Sequence, residues 1–175
     1  MNEVLEKIKS RRSIRKYKAE PVPQELLDQI IEAGLSAPSA RGCQDTIIVQ
    51  LTEPTLRNEL ADKNRQIAGM PEGSDPFYGA PAVLIVLAKK DSVFGTYDGS
   101  LVLGNLMLAA HALELGSCWI HRAYEEFESD WGKAFLHSLG IDEEYVGIGH
   151  CIVGYIDCEY PNPPEINDGR IYYAK

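Results

Sequence analysis

Apolar positions recur along this chain with two periods, about 3.6 and about 2 residues, and the switches between them predict its elements. Val4, Leu5 and Ile8 share one side of a short first helix that Asn2 can cap and that ends near Ser10. Residues 16–20 read as extended, and Pro21-Val22-Pro23 stops any helix there. Pro23 suits the first turn of a second helix, with Gln24 and Glu25 near its positive end. Leu26, Leu27, Ile30, Ile31 and Leu35 give that helix a buried face, and Pro38 closes it onto a loop over residues 39–44. Residues 47–51 predict a strand, and Glu53-Pro54 opens a third helix running to about Arg65. The breaker-rich segment 69–76 is a loop. Pro81 leads into residues 82–88, continuously apolar and so a strand covered on both faces.

Thr96 or Asp98 starts a long fourth helix through Leu115, apolar nearly all round and therefore central or part of a subunit interface. Gly116 is expected to end it. A short strand over 117–121 follows, then a fifth helix over 127–139 with Trp131, Phe135, Leu136 and Leu139 inward, then a core strand over 146–155. In that strand Gly147, Gly149 and Cys151 are expected to put small groups on one face, where a helix or ligand could come close. The proline-rich tail from Cys158 to Arg170 cannot pack a core alone, and Ile171-Tyr172-Tyr173 could add an edge strand to this chain or to a partner. The order of elements fits one sheet flanked by helices.

The 175 residues suit one domain, and a formal net charge of −9 sets nucleic acid and anionic membranes aside as partners. The most apolar stretch, 101–113, is broken by Gly104, Asn105 and His111 and falls short of the roughly 20 residues of a spanning helix. No N-terminal stretch pairs a basic region with an apolar run, so no signal peptide is expected and the cytoplasm is the expected compartment. Cys43, Cys118, Cys151 and Cys158 are then expected as reduced thiols. A metal site could be assembled from Cys118, His121, His150, Cys151 and Cys158, but no Cys-x-x-Cys spacing is present and Cys118 and Cys151 sit in apolar runs, so no metal is expected.

Against this acidic background Arg11-Arg12-Ser13-Ile14-Arg15 is a concentrated group of anion-binding side chains. Guanidinium forks and a hydroxyl match a phosphate ester; the bland alternative is a solvated basic turn. Neither a Gly-rich dinucleotide fingerprint nor a P-loop is present, so phosphate binding would rest on arginine side chains.

With these blocks in hand, the chain resembles the nitroreductase family of FMN-dependent oxidoreductases over nearly its full length. The likeness is carried by Arg11-Arg12-Ser13-Ile14-Arg15-Lys16-Tyr17, by Ala37-Pro38-Ser39 followed by Gln44, and by Gly116-Ser117-Cys118-Trp119-Ile120. The segments 75–81 and 98–116 add to it. The resemblance implies an α+β sandwich with a mostly antiparallel central sheet, spanning residues 1–175 as a single FMN-binding domain in an interlocked homodimer, with FMN at the subunit interface. It implies that Arg11, Arg12 and Ser13 hold the phosphate and ribityl chain and that Arg15 reaches the pyrimidine edge. The backbone of Trp119, Ile120, His121 and Arg122 would lie over the ring with an amide near N5. Pro38, Ser39 and Ala40 would come from the other subunit, and Arg170 would complete the phosphate site. The family commonly has Asn two residues before the Gln and Pro-Trp after it; here Gly42, Asp45 and Thr46 stand there, removing a polar group and an aromatic wall. Asn64 is a candidate for the missing hydrogen bond to the ring.

The implied activity takes a hydride from NADH or NADPH and passes two electrons to a nitroaromatic, quinone or similar small acceptor by alternating half-reactions. The protein then supplies orientation, a dry face and electronic tuning rather than a general base. His121 is a candidate proton donor, set against a structural role at a strand end. Phe77, Tyr78 and Tyr124 are candidates for acceptor binding, set against Phe77 and Tyr78 plugging the sheet edge. The alternatives to this activity are a flavin enzyme with a different electron donor and an FMN carrier or sensor without turnover.

Overall fold

The computed structural model describes residues 2–174. Asn2 caps α1 (Glu3–Ser10), its side chain accepting from the Val4 and Leu5 amides, and Pro23 precedes α2 (Gln24–Leu35). β1 (Thr46–Leu51) leads to α3 (Pro54–Ile67), whose first amides are taken up by the Glu53 carboxylate. β2 (Ala82–Lys89), α4 (Gly95–Ala112), β3 (Gly116–Ile120), α5 (Ala123–Glu128), α6 (Asp130–Ser138) and β4 (Tyr145–Gly154) complete the order. The four strands form one antiparallel sheet in the order β1-β2-β4-β3, confirming the α+β architecture.

The continuous apolar run of β2 is explained by its place. Val83, Ile85 and Leu87 face one core with Leu60, Phe77, Phe127 and Leu136, while Ala82, Leu84 and Val86 face a second with Leu27, Ile30, Leu103 and Leu106. Burying a side chain of this size contributes about 1.5–3 kcal/mol, so the strand anchors both layers. Gly34 allows the close crossing of α2 on α4, since a Cβ there would run into Leu106.

Several expectations are corrected. The fourth helix ends at Ala112, not Leu115, and Glu114 rather than Gly116 adopts the left-handed turn (φ 62°). The Leu115 amide reaches back to the Ala110 carbonyl and the Glu114 amide to that of His111, a Schellman closure with Gly116 left to start β3. The fifth helix is two helices. Ser129 is extended and caps Gly132, and Gly132 is so close to the Glu126 carbonyl that a Cβ would not fit. Leu139 and Leu35 are exposed rather than inward. Gly147 and Gly149 do not share a face: Val86 pairs with Gly149 and Leu87 with Gly147, so Ile148 is bulged out of register against Gly99. Gly147 admits Ala123 on one side and Gly149 admits Trp119 on the other. Ile171, Tyr172 and Tyr173 form no strand on this chain and are exposed.

Candidate functional site

The arginine cluster begins where α1 stops. The Arg11 amide closes the helix on the Lys7 carbonyl, and both Arg12 Nη1 hydrogens go to main-chain oxygens, Lys9 at 2.8 Å and Arg11 at 2.7 Å. Cations at a helix C-terminus are favoured by its partial negative charge. The chain then joins the sheet edge: Ser13 bridges Ser117 in parallel, the Ile14 amide donates to the Ser117 carbonyl at 3.0 Å, and Ile14 and Tyr17 are buried. The Tyr17 hydroxyl donates to the Ile14 carbonyl at 2.7 Å, and burial pushes its pKa up, so it serves as a neutral strut. Ser13 is thereby fixed beside β3, while Arg15 faces outward and is exposed. Two buried guanidinium atoms, Arg11 Nη1 and Arg12 Nε, have no hydrogen-bond partner among the described residues. A buried donor left unpaired is costly, and each of these two lacks an acceptor among the described residues.

The C-terminal tail touches the same spot through Tyr160. Its hydroxyl accepts from the Arg12 amide, donates to the Ser10 carbonyl at 3.0 Å and lies 3.2 Å from His111 Nδ1, while His111 Nε2 is 2.8 Å from Ser10 Oγ. Partial burial, then the charges of Lys7, Arg11 and Arg12, lower the His111 pKa below its ordinary 6.5. Neither Tyr160 nor His111 was found from the sequence; only the fold brings them to Ser10. Arg170 lies further along the tail, exposed, and makes no bond to the cluster among the described residues.

The Pro38-Ser39-Ala40 loop is built by a different device. Arg41, Gly42 and Gln44 all have positive φ, and the Gln44 amide donates to Ser39 Oγ. The Ala40 amide is held by both oxygens of Asp98 at 3.1 Å, a carboxylate only 5 % exposed in the first turn of α4. Asp98, expected only as a possible helix start, is thus the buried clamp of this loop. Asp45, at a position expected to lack an aromatic wall, accepts from Ser92 and ties the loop's end to the turn after β2. Ser39, Pro38, Gln44 and Asp98 line a cleft of about 250 Å³. This loop and the arginine cluster sit at opposite ends of α4. From Asp98 to His111 the helix climbs roughly 20 Å at about 1.5 Å per residue.

Between β3 and α5 the chain turns through Ile120, His121 and Arg122. His121 is exposed, and Arg122 is left-handed (φ 85°) with its side chain 3.4 Å from Glu125. Trp119 packs over Gly149 and keeps about a third of its surface exposed. Asn64, expected to face a ligand ring, is buried instead, and its amide donates inward to the His121 carbonyl and to Glu126. Phe77, expected to touch an acceptor, has no exposed surface. Its ring lies 5.4 Å from that of His150 with the Arg57 guanidinium 5.3 Å from its centroid, so it plugs the core. Tyr78 (φ 53°, 38 % exposed) and Tyr124 (55 % exposed) remain on the surface, where an acceptor could reach them. Glu126 was not found from the sequence and His150 was considered there only for a metal site that was set aside, although each left a signal: an acid between Ala123 and Phe127 on an inward helix face, and an imidazole inside an apolar strand.

Comparisons with known proteins give the family and the fold. The model of the nitroreductase family matches residues 8–155. A Bacteroides fragilis nitroreductase with bound FMN superposes with a TM-score of 0.92 at 27 % identity, covering 100 % of both chains. The Vibrio harveyi NADPH-flavin oxidoreductase is 34 % identical over 69 % of this chain and 54 % of its own length. The Bacillus subtilis FMN reductase (NAD(P)H) is 32 % identical over 67 % of this chain and 53 % of its own. The chain thus spans about half the length of these two curated relatives.

Proposed function

Because the chain belongs to the nitroreductase family, we propose that it is an FMN-dependent oxidoreductase that draws electrons from NADH or NADPH and delivers them to a small electron-poor acceptor such as a nitroaromatic or a quinone. The observation that carries this reading is the pair of buried, unpartnered guanidinium nitrogens on Arg11 and Arg12. They call for an anion, and a phosphate ester matches the fork geometry. Ser13, fixed against Ser117, would add a hydroxyl to the same phosphate and ribityl chain. Bound FMN supplies the chemistry itself, accepting a hydride and passing on two electrons.

The chain's own residues bind and tune. Arg15, exposed beyond the cluster, would set a positive charge at the pyrimidine edge. The turn at Ile120, His121 and Arg122, with Trp119 beside it, would face the ring. His121 is exposed and free to hold a proton for a product. Tyr78 and Tyr124 would flank the acceptor. Pro38, Ser39 and Ala40 stand roughly 20 Å from the cluster along α4, which supports a homodimer in which each copy's loop completes the other's site. Arg170, exposed on the tail, would add a further cation to the phosphate site. We read residues 1–175 as a single FMN-binding domain.

Titration of the apoprotein with FMN, followed by quenching of flavin fluorescence, tests this reading. Saturation at one FMN per chain with a yellow product is expected. A protein that takes up no FMN would contradict it.

A further inference from the structure

Under the turn between β3 and α5 lie three polar side chains for which the reaction has no direct use. Glu126 and His150 are each 0 % exposed and Asn64 is 2 % exposed, with Phe77 closing the far side of the imidazole. Burying two ionisable groups in an apolar core is expensive, and replacing such a pair by apolar residues is often neutral or stabilising. The position of these groups is therefore what requires explanation.

Their hydrogen bonds define it. His150 Nδ1 lies 3.3 Å from the Ile120 carbonyl, and a carbonyl only accepts, so Nδ1 carries a hydrogen. His150 Nε2 is 2.8 Å from Glu126 Oε2. Neither atom has another partner among the described residues. Glu126 Oε1 accepts from Asn64 at 2.7 Å, and the second Asn64 hydrogen goes to the His121 carbonyl, also at 2.7 Å. Two consecutive carbonyls, Ile120 and His121, are thus drawn inward by one connected group. No peptide bond here is cis, and in a trans peptide the N–H points opposite to the preceding C=O. The His121 and Arg122 N–H groups are therefore turned outward, where neither meets a backbone acceptor among the described residues. The left-handed conformation of Arg122 is uncommon for a side chain of that size and has to be held in place by its surroundings.

We propose that Asn64, Glu126 and His150 form a buried positioning network that holds the Ile120 and His121 carbonyls inward, and so aims the His121 and Arg122 amides at the bound flavin and sets its reduction potential. This rests on the FMN reading above. Donors held in place act more strongly on developing negative charge than donors that must reorganise. Asn64 links the His121 carbonyl to Glu126, and His150 links the Ile120 carbonyl to the same carboxylate, so Glu126 is the common anchor of both.

The test compares wild type with Asn64→Ala and Glu126→Ala by three readouts: FMN dissociation constant, midpoint potential under anaerobic dye equilibration, and the visible spectrum of the bound flavin. Both variants are expected to bind FMN roughly threefold to tenfold more weakly, the scale of one lost hydrogen bond, and to hold it at a lower potential with a shifted spectrum. Should Glu126→Ala fail to fold by circular dichroism, Asn64→Ala carries the comparison. In the wild type alone, FMN should slow hydrogen exchange at the His121 and Arg122 amides. Wild-type affinity, potential and spectrum in the folded variants, or no protection of those amides, would overturn the network while leaving the FMN reading intact. A wild type that takes up no FMN would overturn both.

Discussion

Arg12 and Arg15 are three positions apart and meet different surroundings. Arg12 is partly buried, with Nη1 committed to α1 and Nε unpartnered, whereas Arg15 is exposed beyond Ile14. Arg12→Ala should therefore weaken FMN binding by about 1.5–3 kcal/mol, the scale of a charge-assisted hydrogen bond. Arg15→Ala should keep more flavin but lower its potential, because a positive charge near the pyrimidine edge is lost. Fluorescence titration and potentiometry separate the two, and equal flavin loss with unchanged potentials would mean that the roles are misassigned. His111 gives a pH dependence. Its folded pKa is held below 6.5, so the unfolded chain binds the extra proton more readily. The resulting contribution is present above pH 6.5 and is lost as pH falls through the lower folded pKa. The apoprotein should melt progressively earlier as it is acidified across this window, and His111→Asn should reduce that slope in thermal scans. The arginines were legible in the sequence because they are consecutive and run against the chain's acidity. The roles of Asp98, His111, Glu126 and His150 were not, since each acts on a partner brought in from another element by the sheet and by α4, as when Asp98 clamps the Ala40 amide.

At the scale of elements, α3 and the loop that follows it form a unit through Arg57. Its guanidinium donates to Asp75 at 2.7 Å and to the Ala80 carbonyl at 3.1 Å, while Asp75 also accepts from the Phe77 and Gly79 amides. Asp75 thus fixes the turn that drives Phe77 into the core and leaves Tyr78 outside. Asp75→Ala would strand a mostly buried guanidinium and is expected to cost about 3 kcal/mol, read as a lower urea midpoint. A change within about 0.5 kcal/mol, the range of ordinary surface substitutions, would show that the loop is held by other contacts. The breaker residues made the loop itself legible in advance, but its internal design was not, because Arg57 reads as one more polar position on α3. The same limit explains α5 and α6. Phe127, Trp131 and Phe135 continue one helical spacing across Ser129, so apolar period alone gave a single helix, and the break is set by a cap and a close Gly132 contact. The bulge at Ile148 likewise leaves no mark in the apolar run, and it alone sends Gly147 and Gly149 to opposite faces.

Across the whole molecule, apolar side chains remain uncovered in places where one chain offers nothing to cover them. Val4, Leu5 and Ile8 along α1, Leu101 on α4, and Ile171, Tyr172 and Tyr173 on the tail are all at least 49 % exposed. Together with the roughly 20 Å between the two halves of the candidate site, they support assembly into a homodimer, for which sedimentation at micromolar concentration should give twice the 19.4 kDa chain mass. A monomer that still binds FMN would refute that assembly. No helix among the described residues is long and apolar enough to cross a membrane. The fold class and the two central strands were readable because β2 is an unbroken apolar run and β4 a largely apolar one, whereas the tail's path was not, since prolines and exposed tyrosines have no period to follow. The central claim is redox turnover at FMN held by this chain, and the anaerobic addition of NADH or NADPH to the FMN-loaded protein addresses it most directly. Bleaching of the flavin absorbance by at least one nicotinamide, followed by its return on adding a quinone or nitroaromatic, is the predicted result. Flavin that stays oxidised in the presence of both nicotinamides would contradict it.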